Sequence, residues 1–159
     1  MRLLLAGDIH GNPRQIRYLF ENALKYECDN IFALGDYGYW EHRQGGPEFL
    51  QITSEFATLN NIPFYWLDGN HENHVMLRRN YQDKVVDDGM WEIRDNLFYS
   101  PRGNRFTWDG IDFMTMGGAY SIDRAWRKIG ESWWWEEEIT DDEVAAAISD
   151  PEPVDVLLS

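Results

Sequence analysis

Cysteine, histidine and positive charge are all scarce in this 159-residue chain. The one cysteine, Cys28, cannot close an internal disulfide, which points to a reducing compartment. Lysine and arginine number 14 against 28 acidic residues, a formal net charge of -14. So few basic residues argue against non-specific binding to nucleic acid or anionic membranes, because counterion release needs clusters of Lys and Arg. No apolar run is long enough to span a bilayer. The opening Met1-Arg2-Leu3-Leu4-Leu5-Ala6 carries a charge and a short apolar run, but polar residues follow too soon for a signal-peptide core. These absences together predict a cytoplasmic protein with no membrane segment. Internal repeats and long linkers are missing as well.

What is present suffices for a folded domain. Apolar residues make up 43% and aromatics 15%, which excludes general disorder. The length suits a single domain over residues 1–159 with a substantial core. Asn12-Pro13 reads as an N-cap followed by proline at the first helical position, and Ile16, Leu19, Phe20, Ala23 and Leu24 continue at helical spacing. This predicts a helix from about Pro13 to Tyr26. Pro47 opens a second predicted helix, with Phe49, Ile52, Phe56 and Leu59 on its buried face and Asn60-Asn61 at its end. Between Trp91 and Met114, short aromatic and β-branched runs separated by Asp95-Asn96 and Asp109-Gly110 predict a β-meander that begins a second sheet. Residues 117–150 read as a cap-like excursion over the active face. It carries Trp133-Trp134-Trp135 and a Thr140/Glu143 capping box.

Three apolar runs end in acid- and histidine-bearing turns. They are Leu3-Leu4-Leu5-Ala6 before Gly7-Asp8-Ile9-His10-Gly11, Ile31-Phe32-Ala33-Leu34 before Gly35-Asp36-Tyr37-Gly38, and Phe64-Tyr65-Trp66-Leu67 before Asp68-Gly69-Asn70-His71-Glu72. Such runs read as buried strands, and ligands in open α/β sheets collect at their carboxyl ends. Asp8, His10, Asp36, Asn70 and His71 are therefore expected to converge, and as a set they suit hard-to-borderline divalent ions. Residues i and i+2 of a strand point the same way, so Asp8 and His10 aim at one ion. Asp36, with two carboxylate oxygens, bridges two ions, and Asn70 offers a neutral oxygen to the second. His71 points away from Asn70 and is better placed as a proton donor or phosphate contact. Bound cations would also reconcile the acidic chain with an anionic substrate.

The ordered set Gly-Asp-x-His-Gly, Gly-Asp-x-Gly and Gly-Asn-His-Glu resembles the calcineurin-like metallophosphoesterase superfamily, in particular its small bacterial and phage members. The resemblance implies an α/β fold, a four-layer αββα sandwich with a two-metal site. The ions would be Mn2+, or alternatively Fe, Zn or Mg. It implies that Asp8, His10 and Asp36 hold the first ion and that Asp36 and Asn70 contribute to the second. His71 would assist the leaving group, and Glu72 would orient His71. Nucleotides, nucleic-acid ends and phosphoproteins are all substrate classes of the family, so nucleic acid enters only as a substrate.

The sequence departs from that pattern at its far end. The family's remaining ligands are histidines, but this chain has only His10, His42, His71 and His74. The expectation is a C-terminally truncated version of the fold that holds two ions, one or none. Two functions follow as alternatives: metal-dependent hydrolysis of phosphodiesters or phosphomonoesters, or a catalytically impaired protein that binds or assists. An uncovered sheet edge after the last run, Val154 to Leu158, predicts a homodimer. Arg124, Arg127 and Lys128 form a basic island. Arg124 and Arg127 are candidate phosphate contacts, with a solvated helix face as the equal alternative. His74 reads more readily as the first turn of a following segment than as a substitute ligand. The tryptophan run reads more readily as packing than as a base-stacking surface.

Overall fold

The apolar residues of the first three runs give each strand two faces to bury, and both are covered in the two inner strands, while Leu5 of the edge strand stays exposed. The computed structural model describes residues 1–159. Strands β1 (Leu3–Ala6), β2 (Asn30–Leu34) and β3 (Phe64–Leu67) lie parallel, with Leu4 opposite Ile31 and Ile31 opposite Phe64. Ile31, Ala33, Phe64 and Trp66 face helices α1 (Pro13–Lys25) and α2 (Gly46–Asn60) in the larger core. Phe32 and Leu67 face the opposite way into a second core. Burying side chains of this size contributes about 1.5–3 kcal/mol each.

The helices begin where local chemistry starts them. Asn12 accepts a hydrogen bond from Arg14 N–H at 3.0 Å, Pro13 follows, and Ile16, Phe20 and Ala23 form the buried stripe. Helix α1 ends one residue before the predicted Tyr26. Helix α2 starts at Gly46 rather than Pro47 and ends at Asn60, with left-handed Asn61 closing it. Helix α3 (His74–Tyr81), which the sequence reading leaves unassigned, is capped by Asn73, whose side chain accepts from Met76 N–H at 3.0 Å.

The predicted meander is divided between two sheets. β4 (Trp91–Arg94) and β5 (Leu97–Tyr99) extend the first sheet, giving the order β1-β2-β3-β5-β4, with β5 parallel to β3. The physical reason lies in β5. Leu97 and Tyr99 pack into the helix-side core while Phe98 packs into the other, so this strand needs cover on both faces. β6 (Arg105–Trp108) and β7 (Ile111–Thr115) instead alternate, with Phe106 and Phe113 buried and Thr107 and Asp112 exposed. They open the second sheet, which β8 (Val156–Leu158) completes in parallel with β7. Phe106, Phe113 and Leu158 meet Phe32 and Leu67 between the sheets. The layers therefore run helices, first sheet, second sheet, three layers of the expected αββα order.

Residues 117–150 pack against the turn after β3, where Gly118 N–H donates to the Asp68 carbonyl at 2.7 Å. Two three-residue helical turns (Arg124–Trp126 and Trp135–Glu137) precede helix α4 (Asp141–Ile148), which carries the predicted capping box. Arg102 fastens this segment to the sheet. Its Nη2 lies 2.6 Å from Asp68 Oδ2 and donates to the carbonyl of Glu136 at 2.7 Å, while its Nη1 donates to the carbonyl of Glu138 at 3.0 Å. Asp68 also accepts from Tyr99 O–H at 2.7 Å. Burial alone would raise the Asp68 carboxyl, but the hydrogen bond from His74 and the charge of Arg102 hold it far below the usual range. No helix is long and apolar enough to cross a membrane.

Candidate metal centre

The three turns leave the sheet side by side, and their backbones interlock. His10 N–H donates to the carbonyl of Asp36 at 2.8 Å, and Gly11 N–H to that of Tyr37 at 3.0 Å. His71 N–H donates to Asp36 Oδ1 at 3.1 Å. Two glycines permit this approach. Gly38 has φ +100°, and a Cβ there would lie 2.8 Å from Gly11 Cα. A Cβ at Gly69 would lie 2.6 Å from Asp36 N and overlap the Asp36 carboxylate.

Asp8 and His10 do converge, but strand alternation is not the cause. β1 ends at Ala6, and both residues are left-handed, with φ of 51° and 50°. Asp36 is left-handed too, at 47°. Each such angle in a non-glycine residue costs about 1 kcal/mol or more and persists where surrounding contacts enforce it. The result brings Asp8 Oδ1 to 3.7 Å and Asp36 Oδ2 to 3.8 Å from His10 Nε2.

His71 joins this group. His10, Asp36 and His71 each offer one donor atom, and the three atoms lie within 4.8 Å of one another. The two imidazole rings meet edge to face with centroids 4.9 Å apart. His71 Nε2 lies 2.8 Å from Arg127 Nη2; a guanidinium only donates, so this nitrogen accepts. Arg127 is oriented by Asp123 Oδ1 at 2.7 Å from its Nε, and it reaches the carbonyl of Asn70 at 3.4 Å. Burial lowers the His71 pKa, and the Arg127 and His10 charges add to that, against the opposing charge of Asp36.

Glu72 does not orient His71, contrary to what the family resemblance implies. Its fully buried carboxylate accepts from Gly38 N–H at 3.0 Å and Gly69 N–H at 2.7 Å, tying the second turn to the third. Burial, with Asp36 and Asp68 nearby, pushes its pKa up to about 8, although the two backbone donors oppose the rise.

The other sequence candidates are placed elsewhere. His74 is buried with Nδ1 3.5 Å from Asp68 Oδ2 and is part of the Arg102 cluster. His42 pairs with Asn73 at 2.9 Å and packs edge-on to Trp134. Arg124 lies over Trp133 and Trp135, 4.1 and 4.4 Å from their rings, and 3.7 Å from Glu138. Lys128 is exposed and 3.4 Å from Glu131. Trp133 and Trp134 are buried as packing, while Trp135 is exposed.

Sequence reasoning passed over two residues that touch the site. Asn70 Nδ2 donates to Ser121 Oγ at 2.9 Å, and Ser121 donates from both N and Oγ to Glu137 at 2.8 Å. Glu137 sits among three successive glutamates, so composition does not separate it from its neighbours.

This donor set suits a divalent ion. It combines the imidazole of His10, an Asp36 carboxylate with Oδ2 turned toward it, the exposed Asp8 carboxylate and the Asn70 side chain, whose nitrogen alone is engaged. The residues fit the first ion position best. His42 and His74 supply nothing to a second.

Comparison with known proteins agrees with this geometry. The family model for calcineurin-like phosphoesterases matches residues 1–159. No curated protein sequence matches. Seven chains of solved structures do. One crystal structure superposes with a TM-score of 0.55 at 9% identity, over 97% of this chain and 66% of that one. At that identity the likeness is one of fold, and this chain spans slightly under two thirds of its length.

Proposed function

We propose that this chain, which belongs to the calcineurin-like phosphoesterase family, hydrolyses phosphoester bonds at the three-turn site. The observation that carries the reading is the convergence of the His10, Asp36 and His71 donor atoms within 4.8 Å at the carboxyl ends of parallel strands. Asp8, His10 and Asp36 would hold the first divalent ion, and Asp36 and Asn70 would contribute to the second, with Mn2+ the expected metal. A divalent ion there supplies a water nucleophile at neutral pH and a counter-charge for phosphoryl oxygens.

The chain's own residues do the rest. Asp36 keeps Oδ1 on His71 N–H and turns Oδ2 toward His10, which fixes the carboxylate between the first and third turns. Arg127 projects from the opposite wall, braced by Asp123, and is placed to donate to a phosphate oxygen. Its present partner, His71 Nε2, is released when that oxygen arrives. The freed His71 Nε2 then contacts the phosphate or, once it has taken up a proton from solvent, passes that proton to the leaving oxygen.

The test is hydrolysis of an aryl phosphodiester and an aryl phosphomonoester by metal-free and Mn2+-loaded protein. Mn2+ is expected to stimulate turnover of at least one, and Asp36→Asn to reduce it more than about 100-fold, beyond the range of residues outside the ligand set. Equal, negligible turnover with and without metal contradicts the reading. A second reading, a phosphoester-binding protein without turnover, draws on the commitment of His42 and His74 to other partners. It predicts at most one weakly held ion per chain.

A further inference from the structure

An asparagine ligand has a polarity problem that a carboxylate lacks. One branch of its amide accepts and the other only donates, so a cation is served only if the oxygen faces it. In this fold the choice is made by residues far away in sequence. Ser121 and Glu137 are 1% and 0% exposed. The Glu137 carboxylate takes the Ser121 N–H on one oxygen and the Ser121 hydroxyl proton on the other, both at 2.8 Å. With its proton committed, Ser121 Oγ offers Asn70 only lone pairs. Asn70 must then present Nδ2 to Ser121, as it does at 2.9 Å. Oδ1 is left on the other branch of the amide, while His71, the next residue, donates its N–H to Asp36.

Glu137 is itself held in place. Its carbonyl accepts from Ala119 N–H at 3.0 Å and from Arg102 Nη2 at 3.1 Å. Arg102 is the residue that grips Asp68 at the end of β3. The strand that carries the Asn70 turn and the segment that carries Glu137 are therefore locked in one register.

We infer that Glu137 and Ser121 are positioning residues, a one-way hydrogen-bond relay that sets the Asn70 amide with its oxygen toward the second ion position. The inference rests on Asn70 being a metal ligand. It makes the direction of each hydrogen bond, rather than its presence, the functional feature.

Direction can be reversed by substitution. Glu137→Gln keeps an oxygen for the Ser121 N–H but offers an Nε2–H to Ser121 Oγ. Ser121 must then donate to residue 70, and the Asn70 amide turns its nitrogen toward the ion. Adding Asn70→Asp restores a consistent set: one carboxylate oxygen accepts from Ser121 and the other is free for the ion. Asn70→Asp alone leaves that carboxylate facing a hydroxyl whose proton is already committed.

The experiment is calorimetric titration of Mn2+ into the metal-free 159-residue chain, with thermal unfolding as the check on folding. The wild type is expected to bind one ion through Asp8, His10 and Asp36 and a second, more weakly, through Asp36 and Asn70. Glu137→Gln and Asn70→Asp should each weaken the second site about 10- to 100-fold and leave the first unchanged. The double variant should recover most of the loss. Should Glu137→Gln not fold, Ser121→Ala carries the same expectation of a weakened second site. Two ions in the wild type with an unaffected Glu137→Gln, or a double variant as weak as the product of the singles, overturns the relay alone. Fewer than two ions in the wild type overturns Asn70 as a ligand, and the relay with it.

Discussion

On the sheet side of the site, Asp8, His10 and Asp36 take left-handed backbone angles and turn donor atoms toward one another. On the opposite side, Ser121, Arg127 and Glu137 keep ordinary backbone and have their side-chain groups taken by neighbours. The first wall is built by backbone strain and glycine contacts, the second by directed hydrogen bonds and ion pairs. The difference bears on function. A wall of carboxylate and imidazole acceptors draws cations, and a wall of fixed hydrogen bonds sets what those cations and their substrate meet.

The most severe way to break this arrangement is to separate the walls. Arg102→Ala leaves the Asp68 carboxylate, 1% exposed, without its guanidinium. The expected loss is about 3–5 kcal/mol of stability in urea unfolding at neutral pH. The pH dependence has a definite sign. The Asp68 pKa is depressed in the folded state, so its contribution is present above the ordinary carboxylate range and is lost as pH falls through the folded value. The gap between wild type and variant should therefore narrow below about pH 4. A constant gap, or none, would show that Arg102 is not what joins the walls.

A smaller effect tests the donors of the second wall. Arg127→Ala removes a charge-assisted donor beside His71, and kcat/KM should fall about 10- to 100-fold with little change in stability. Unchanged kcat/KM would remove Arg127 from substrate contact. The smallest effect is expected at Arg124. Its guanidinium lies over Trp133 and Trp135 rather than in the site. Arg124→Ala should cost about 1 kcal/mol of stability or less and leave kcat/KM within about twofold. A catalytic loss equal to that of Arg127→Ala would contradict this division of the basic island.

The two walls also differ in how far the sequence exposes them. The turns after β1, β2 and β3 are legible because local signals coincide: an apolar run, a glycine and an acid at each. Even there the mechanism differs from the reading, since left-handed angles rather than strand alternation bring Asp8 to His10. Capping chemistry gives helix α1 nearly to the residue and the start of helix α4. Strand partners are less local. Leu97-Phe98-Tyr99 shows that both faces are apolar, but not that β3 lies beside it. The second wall is the least legible. Glu136, Glu137 and Glu138 read alike as a charge run, and only a three-residue helical turn buries the middle one. Glu72 misleads for a related reason: adjacency to His71 suggests a partner, whereas its carboxylate bonds two backbone N–H groups instead.

The most direct test of the metal-centred site is elemental analysis of bound metal per chain, made on the same preparation in which phosphoester turnover is measured. The site predicts divalent metal bound to the chain and turnover that rises and falls with its occupancy, both lost in Asp36→Asn. Turnover that persists in metal-free protein, or a fully metal-loaded chain with none, would contradict it.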